Sequence, residues 1–206
     1  ENGRKVYEAV LLLGRVTDTQ DTSGETLEER AVTATADEVR AALPRFLGEI
    51  EQIPPMYSAI KVNGQKLYDL ARQGKEVARR PRRITVYDLA LTEELGNDQY
   101  ALRVVCSKGT YIRTLCHDIG AALGCGGVMS ALRRTEVGAY RVSDAHTMEK
   151  LCALPREAAQ RLLLPVDSLW PDAAQCTVDA RPERLARCGN PFRLCAPDGV
   201  YRIYAA

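Results

Sequence analysis

Cys116-His117-Asp118 places a nucleophile, a base and an acid side by side in this 206-residue sequence. The pattern around them is helical, however, and neighbours at i and i+1 on a helix point in different directions. Cys116 is therefore expected in the core, with His117 and Asp118 at the surface or against partner residues. The other histidine, His146, is distant in the chain and precedes a helix cap, a weak basis for a metal site. Ser107-Lys108-Gly109-Thr110 is superficially a phosphate loop, but G-x-x-x-x-G-K-[ST] is absent, so triphosphate binding is not supported. The helix expected after it still offers its N-terminus to an anion. Arg113 falls in the first turn of that helix, where a cation opposes the helix dipole. Two readings stay open for it: the partner of a carboxylate or phosphate, or an ordinary surface arginine.

The formal net charge is only +1, so bulk charge does not announce a nucleic-acid partner. The distribution is uneven. Acids dominate between Thr17 and Glu51, whereas Lys61, Lys66, Arg72, Lys75, Arg79, Arg80, Arg82 and Arg83 are opposed only by Asp69 and Glu76. Such a block could hold phosphates, although composition alone favours a solvated face. Seven cysteines, an odd number with no C-x-x-C pair, argue against a disulfide framework or a zinc site and for small core residues in a reducing, cytoplasmic setting. The apolar runs, such as Val10-Leu11-Leu12-Leu13, are too short to span a membrane. The chain opens at Glu1 and enters a strand pattern almost at once, as expected of a piece of a longer protein.

The elements that must position these residues follow from periodicity and breakers. Lys5 to Gly14 reads as a strand, and Val16 to Glu29, rich in Thr, Asp, Ser and Gly, as a loop. Thr35 with Glu38 forms a capping box opening a helix over Val39, Ala42, Leu43, Phe46 and Leu47, which Pro44 should kink or shorten. Ile53-Pro54-Pro55 and Arg80-Pro81 bracket a basic excursion with a short helix over Lys66 to Gln73, ended by Gly74. Arg83 to Glu93 and Gln99 to Cys106 read as strands joined through Leu95-Gly96-Asn97-Asp98. A helix from near Tyr111 buries Ile112, Leu115, Ile119 and Leu123 and stops at Gly124. Thr135 to Val142 is expected as a strand, and Thr147 as the cap of a helix ending near Leu154. After Pro165 the patterns are weak and strand-like. Hairpin connections without regular β-α-β alternation give an α+β class with a mixed, largely antiparallel sheet flanked by helices.

Several segments taken in order carry a resemblance. Cys106 through Leu115 (CSKGTYIRTL), then Asp118-Ile119-Gly120, Leu123-Gly124-Cys125-Gly126-Gly127 and Leu132-Arg133-Arg134, are similar to the strand–turn–helix motif and its continuation in TruB-type tRNA pseudouridine synthases. Tyr7 through Gly14, with Thr17-Asp18-Thr19 and Asp21, resembles the family's tyrosine-bearing strand and following loop. Ile53 through Lys61 (IPPMYSAIK), Gly64, Lys66-Leu67-Tyr68 and Ala71-Arg72-Gln73-Gly74 resemble its RNA-gripping insertion. The match runs from about Tyr7 to the helix at Thr147; Cys188-Gly189-Asn190-Pro191 is weakly similar to the family's small C-terminal domain.

The resemblance implies a pseudouridine synthase fold, with a partial catalytic domain over residues 1–165 that carries the insertion at about 53–82. It also implies a small β-rich, PUA-like unit over 166–206. It implies isomerisation of one uridine in the T arm of tRNA, position 55, with the base detached at N1, turned and rejoined through C5, and with no cofactor and no metal. Tyr7 matches the tyrosine that stacks on the flipped base, and Arg113 the arginine that pairs with the catalytic carboxylate. Asp21, Lys61, Tyr111 and Leu132 match positions near the bound nucleotide, and Lys66, Arg72, Lys75, Arg79 and Arg80 the RNA-gripping cations. The implied partner is the tRNA T-arm stem-loop, bound by a monomer with no protein partner and no membrane. The family's aspartate lies in a Gly-Leu-Asp-Pro-like loop upstream of the tyrosine strand, and no such sequence occurs in these 206 residues. The chain alone is expected to be inactive; the alternative is a non-catalytic tRNA-binding relative.

Overall fold

Strand β1 (Lys5–Leu13) alternates so that Ala9, Leu11 and Leu13 are buried on one face. In the computed structural model, which describes residues 3–62 and 64–206, β1 is central. After it come β2 (Arg15–Thr17) and β3 (Thr26–Glu29), a small antiparallel pair inside the stretch expected to be a loop. Its short length, with β3 exposed throughout, left no apolar alternation to read. Helix α1 (Ala36–Ala42) has the expected capping box, and at Pro44 the chain tightens into a 3-10 turn over Leu43–Phe46. Strand β4 (Gly48–Gln52), absent from the sequence reading, is an edge strand that carries only one fully buried residue.

The insertion follows as β5 (Lys61–Val62), β6 (Gln65–Lys66) and α2 (Leu67–Ala71), with its own small core of Met56, Leu67 and Leu70. β7 (Arg82–Gly96) and β8 (Gln99–Cys106) form a hairpin whose two turn residues, Asn97 and Asp98, both take positive φ, as a type I′ turn requires. Helix α3 (Ile112–Ala122) buries Ile112, Leu115, Cys116 and Ile119. β9 (Gly127–Val137) starts eight residues before the expected strand, and β10 (Tyr140–Arg141) is split from it at Gly138-Ala139. The exposed middle of β9 hid its first half from pattern reading.

The sheet order is β10-β9-β1-β8-β7-β4, with every ladder antiparallel. Leu11, Leu102 and Val104 meet Leu115 and Ile119 in one cluster of buried side chains, each contributing on the order of 1.5–3 kcal/mol. A Cβ on Gly120 would lie 2.2 Å from the Gly127 nitrogen, so glycine is what lets α3 lie against β9 this closely.

This first compact unit ends at Ala145, and the second runs His146–Ala206. The second holds α4 (Met148–Ala153), capped by Thr147, then α5 (Arg156–Gln160), β11 (Ala174–Val178), α6 (Ala180–Arg187) and β12 (Tyr201–Ala205). Its two strands are parallel with α6 between them. Pattern reading did not identify α6, which is charged and buries no residue fully. No helix among the described residues is long and apolar enough to cross a membrane.

Candidate active site

The turn between β8 and α3 is closed by the Thr110 hydroxyl, which donates to the Ser107 carbonyl at 3.0 Å. Tyr111 is the N-cap residue of α3 and offers no side-chain cap. Instead Gln52, at the end of β4, grips its backbone: the Tyr111 N–H donates to Gln52 Oε1 at 3.0 Å and Gln52 Nε2 donates to the Tyr111 carbonyl at 3.2 Å. The amphipathic helix buries its Ile112/Leu115/Cys116/Ile119 side, which turns Arg113 away from the core toward the loop after β2.

There the Arg113 guanidinium meets Asp21, Nη1 to Oδ2 at 3.0 Å, and the same nitrogen donates to the Thr19 carbonyl at 3.4 Å. The pair is half-buried, with side-chain exposures of 29% and 16%. The other carboxylate oxygen, Oδ1, accepts from Thr19 Oγ1 at 2.8 Å, the Ser23 N–H at 3.0 Å and Ser23 Oγ at 2.5 Å. Burial alone would raise the Asp21 carboxyl; the Ser23 and Thr19 hydrogen bonds and the Arg113 charge outweigh it and hold the group below its usual range. The loop is stitched on both sides. The Thr114 hydroxyl donates to Gln20 Oε1 at 2.7 Å, the Met129 N–H donates to the Gln20 carbonyl at 3.1 Å, and Gln20 takes a left-handed φ of 63°.

Tyr7 stands in β1 opposite Val104 and Arg134 and packs, partly buried, on the core cluster that includes Ile112, Leu115 and Cys116 of α3. Leu132 lies two residues along the same β1–β9 ladder, opposite Ala9, and is 46% exposed; it is not a core filler. Tyr111 contributes its backbone to the Gln52 grip. Cys116 is fully buried, and burial pushes its thiol up to about 12, which removes it as a thiolate nucleophile.

In the insertion, Lys61, Lys66 and Arg72 line one open cavity of about 620 Å³. Lys66 Nζ donates to the Tyr68 hydroxyl at 2.9 Å, and Arg72 lies 5.5 Å from the Tyr68 ring centroid. The exposed Lys75 donates to Gln73 Oε1 at 3.1 Å. Arg79 is a brace: it donates to the Pro54 carbonyl at 3.3 Å and pairs with Glu76 at 2.9 Å. Arg80 is exposed and lines a second cavity beside Arg79 and Lys61.

The structure thus joins Arg113 to Asp21 directly and groups Lys61, Lys66 and Arg72. Sequence reasoning missed Gln52 and Gln20, whose roles come from contacts distant in the chain; no local pattern marked either residue.

A protein-family model for the TruB family pseudouridylate synthase N-terminal domain matches residues 1–112. One for the tRNA pseudouridylate synthase B C-terminal domain matches 113–170. A tRNA pseudouridine synthase B of Ralstonia pickettii (strain 12J) is 46% identical over 206 residues, covering 97% of this chain and 65% of that protein. One of Alkaliphilus oremlandii (strain OhILAs) is 51% identical over 166 residues, covering 81% of this chain and 54% of that protein. The chain therefore spans less than two thirds of either relative. Among solved structures, a Cbf5-Nop10-Gar1 complex matches with TM-score 0.60 and 26% identity, over 85% of this chain and 45% of that one. An H/ACA RNP bound to a substrate RNA containing 2′-deoxyuridine matches in fold with TM-score 0.54 and 24% identity, over 85% of this chain and 44% of that one.

Proposed function

Because this chain belongs to the TruB family of pseudouridylate synthases, we propose that it carries most of the machinery of a tRNA pseudouridine synthase acting on a T-arm uridine. The reaction breaks the bond from the ribose to N1 of uracil, turns the base and forms the bond to C5; the C5 proton is released and N1 takes up one proton from solvent, so reactant and product are isomers.

The observation that carries the reading is the Arg113–Asp21 pair at the opening turn of α3. It fixes a guanidinium beside the core on which Tyr7 packs. Among the described residues Arg113 meets both Asp21 and Thr19 through Nη1, so the rest of its planar fork suits a second carboxylate, the family aspartate supplied from outside these residues. Paired with a guanidinium, that carboxylate stays ionised and oriented. Tyr7 offers an aromatic face for the extruded base, and Leu132 an apolar wall. Asp21 tethers Arg113 in place, and Tyr111 sets the helix start. Lys61, Lys66, Arg72, Lys75 and Arg80 hold the T-arm backbone electrostatically, with Arg79 bracing the insertion that presents them. The division into a catalytic domain over 1–165 and a C-terminal unit over 166–206 belongs to the same proposal.

The cations grouped in the insertion, Lys61, Lys66 and Arg72, also suit a second reading, a tRNA-binding relative without catalysis. One experiment separates them. Incubated with T-arm RNA labelled at uridine C5, the natural full-length protein is expected to release the label and form pseudouridine, and the 206-residue chain alone to form none. Salt-dependent binding without product in the full-length protein would select the binding relative.

A further inference from the structure

We infer that Gln52 is a positioning residue that ties the neck of the insertion to the helix carrying Arg113, governing turnover more than RNA affinity. The inference rests on the function proposed above.

The insertion leaves the sheet at Gln52 and returns at Arg82, and these two residues face each other in the β4–β7 ladder. Gln52 is 1% exposed. Its side chain points across to α3 and meets both backbone polar groups of Tyr111, Oε1 with the N–H at 3.0 Å and Nε2 with the carbonyl at 3.2 Å. That carbonyl also accepts the first helical hydrogen bond, from the Leu115 N–H at 3.1 Å. The cap residue has no side-chain cap, and the Thr110 hydroxyl is committed to Ser107. The amide of Gln52 therefore fixes the backbone of the residue from which the helix starts.

A primary amide presents a donor and an acceptor side by side, matching the N–H and C=O of one residue. Burying it costs free energy unless both are met, and here both are met by the same residue. Arg113 is two positions further along the helix. A displacement of about 1 Å at a reacting centre can cost about 100-fold in rate, whereas the exposed cations of the insertion do not depend on where α3 begins. Gln52 thus joins the neck of the insertion to the start of the helix that holds Arg113.

The test uses the natural full-length protein with Gln52→Met, which keeps length but offers no hydrogen bond, and Gln52→Glu. Gln52→Met is expected to lower kcat about 10- to 100-fold while the KM for tRNA and the tRNA Kd stay close to wild type. An ionised Glu at this site accepts from the Tyr111 N–H but cannot donate to its carbonyl. Burial favours the neutral acid, whose O–H can donate. The kcat of Gln52→Glu relative to wild type should therefore climb as pH falls, while that of Gln52→Met stays flat. A residue that served stability alone would lower Tm, leave kcat per folded molecule unchanged and show no rescue at low pH. If Gln52→Met fails to fold, the pH profile of Gln52→Glu still decides. Wild-type kcat in folded Gln52→Met, or a flat pH ratio for Gln52→Glu, overturns the role of Gln52 alone. Absence of pseudouridine from the wild-type protein overturns the proposed function and takes this inference with it.

Discussion

Arg113 in the first turn of α3 and Asp21 in the loop after β2 meet at 3.0 Å. The other carboxylate oxygen is held by Thr19 and Ser23, so Asp21 is an anchor fixed by contacts independent of the guanidinium. A planar guanidinium can use one nitrogen on such an anchor and keep the rest of its fork for a second carboxylate. Lysine, a point charge, cannot serve both with the same geometry.

From this follows a substitution pair. In the full-length protein Arg113→Lys is expected to lose most of its turnover despite the retained charge. Asp21→Asn is expected to lose about 10-fold or more, since charge-assisted hydrogen bonds are roughly twice as strong as neutral ones. Steady-state kinetics on T-arm RNA check both; Arg113→Lys at wild-type kcat would remove the fork argument.

The pH dependence of stability follows from the direction of the Asp21 shift. Its carboxyl is held below its ordinary value in the folded chain, so the ionised form is favoured by folding. That stabilisation is present above the unfolded value of about 3.9 and is lost as pH falls through the lower folded value. The stability gap between wild type and Asp21→Asn, measured by urea unfolding, should be constant near neutrality and shrink below about pH 4. A gap that widened on acidification would contradict the assignment.

Much of this arrangement was legible in the sequence. The capping box at Thr35 and Glu38, the Asn97-Asp98 hairpin turn and the apolar stripe of α3 are local patterns, and local physics set them. β4 and α6 escaped because their exposed residues blur the periodicity that burial would impose, and the start of β9 because an exposed run over residues 131–134 separates it from the expected strand. The residues around Arg113 left open an anion partner or an ordinary surface arginine, and the family resemblance implied a carboxylate partner for it. Its Asp21 partner and the Gln52 and Gln20 contacts were not legible, because they join residues whose proximity exists only once the sheet has formed.

Thiol chemistry offers an independent check. Cys116 is fully buried with its thiol pushed up to about 12, whereas Cys152, Cys188 and Cys195 are exposed. Alkylation of the native full-length protein should modify the exposed thiols, spare Cys116 and leave turnover intact. Peptide mass mapping and kinetics read the two outcomes, and inactivation that tracked Cys116 labelling would revive a cysteine-dependent mechanism.

The insertion cations divide by their contacts. Lys66 and Arg72 border an open cavity, whereas Arg79 is engaged with Pro54 and Glu76. Lys66→Ala and Arg72→Ala should each reduce the slope of log Kd against log salt for tRNA by about 1. Arg79→Ala should instead speed proteolysis of the insertion with little change in slope. Equal slopes for all three variants and wild type would sever the insertion from phosphate binding.

The most direct measurement is single-turnover release of label from C5 of the target uridine by full-length Arg113→Ala, at protein concentrations that saturate the tRNA. With a guanidinium needed to hold the catalytic carboxylate, release should fall by at least about 100-fold, while tRNA binding remains measurable. Release at the wild-type rate from the same saturated complex would contradict the account.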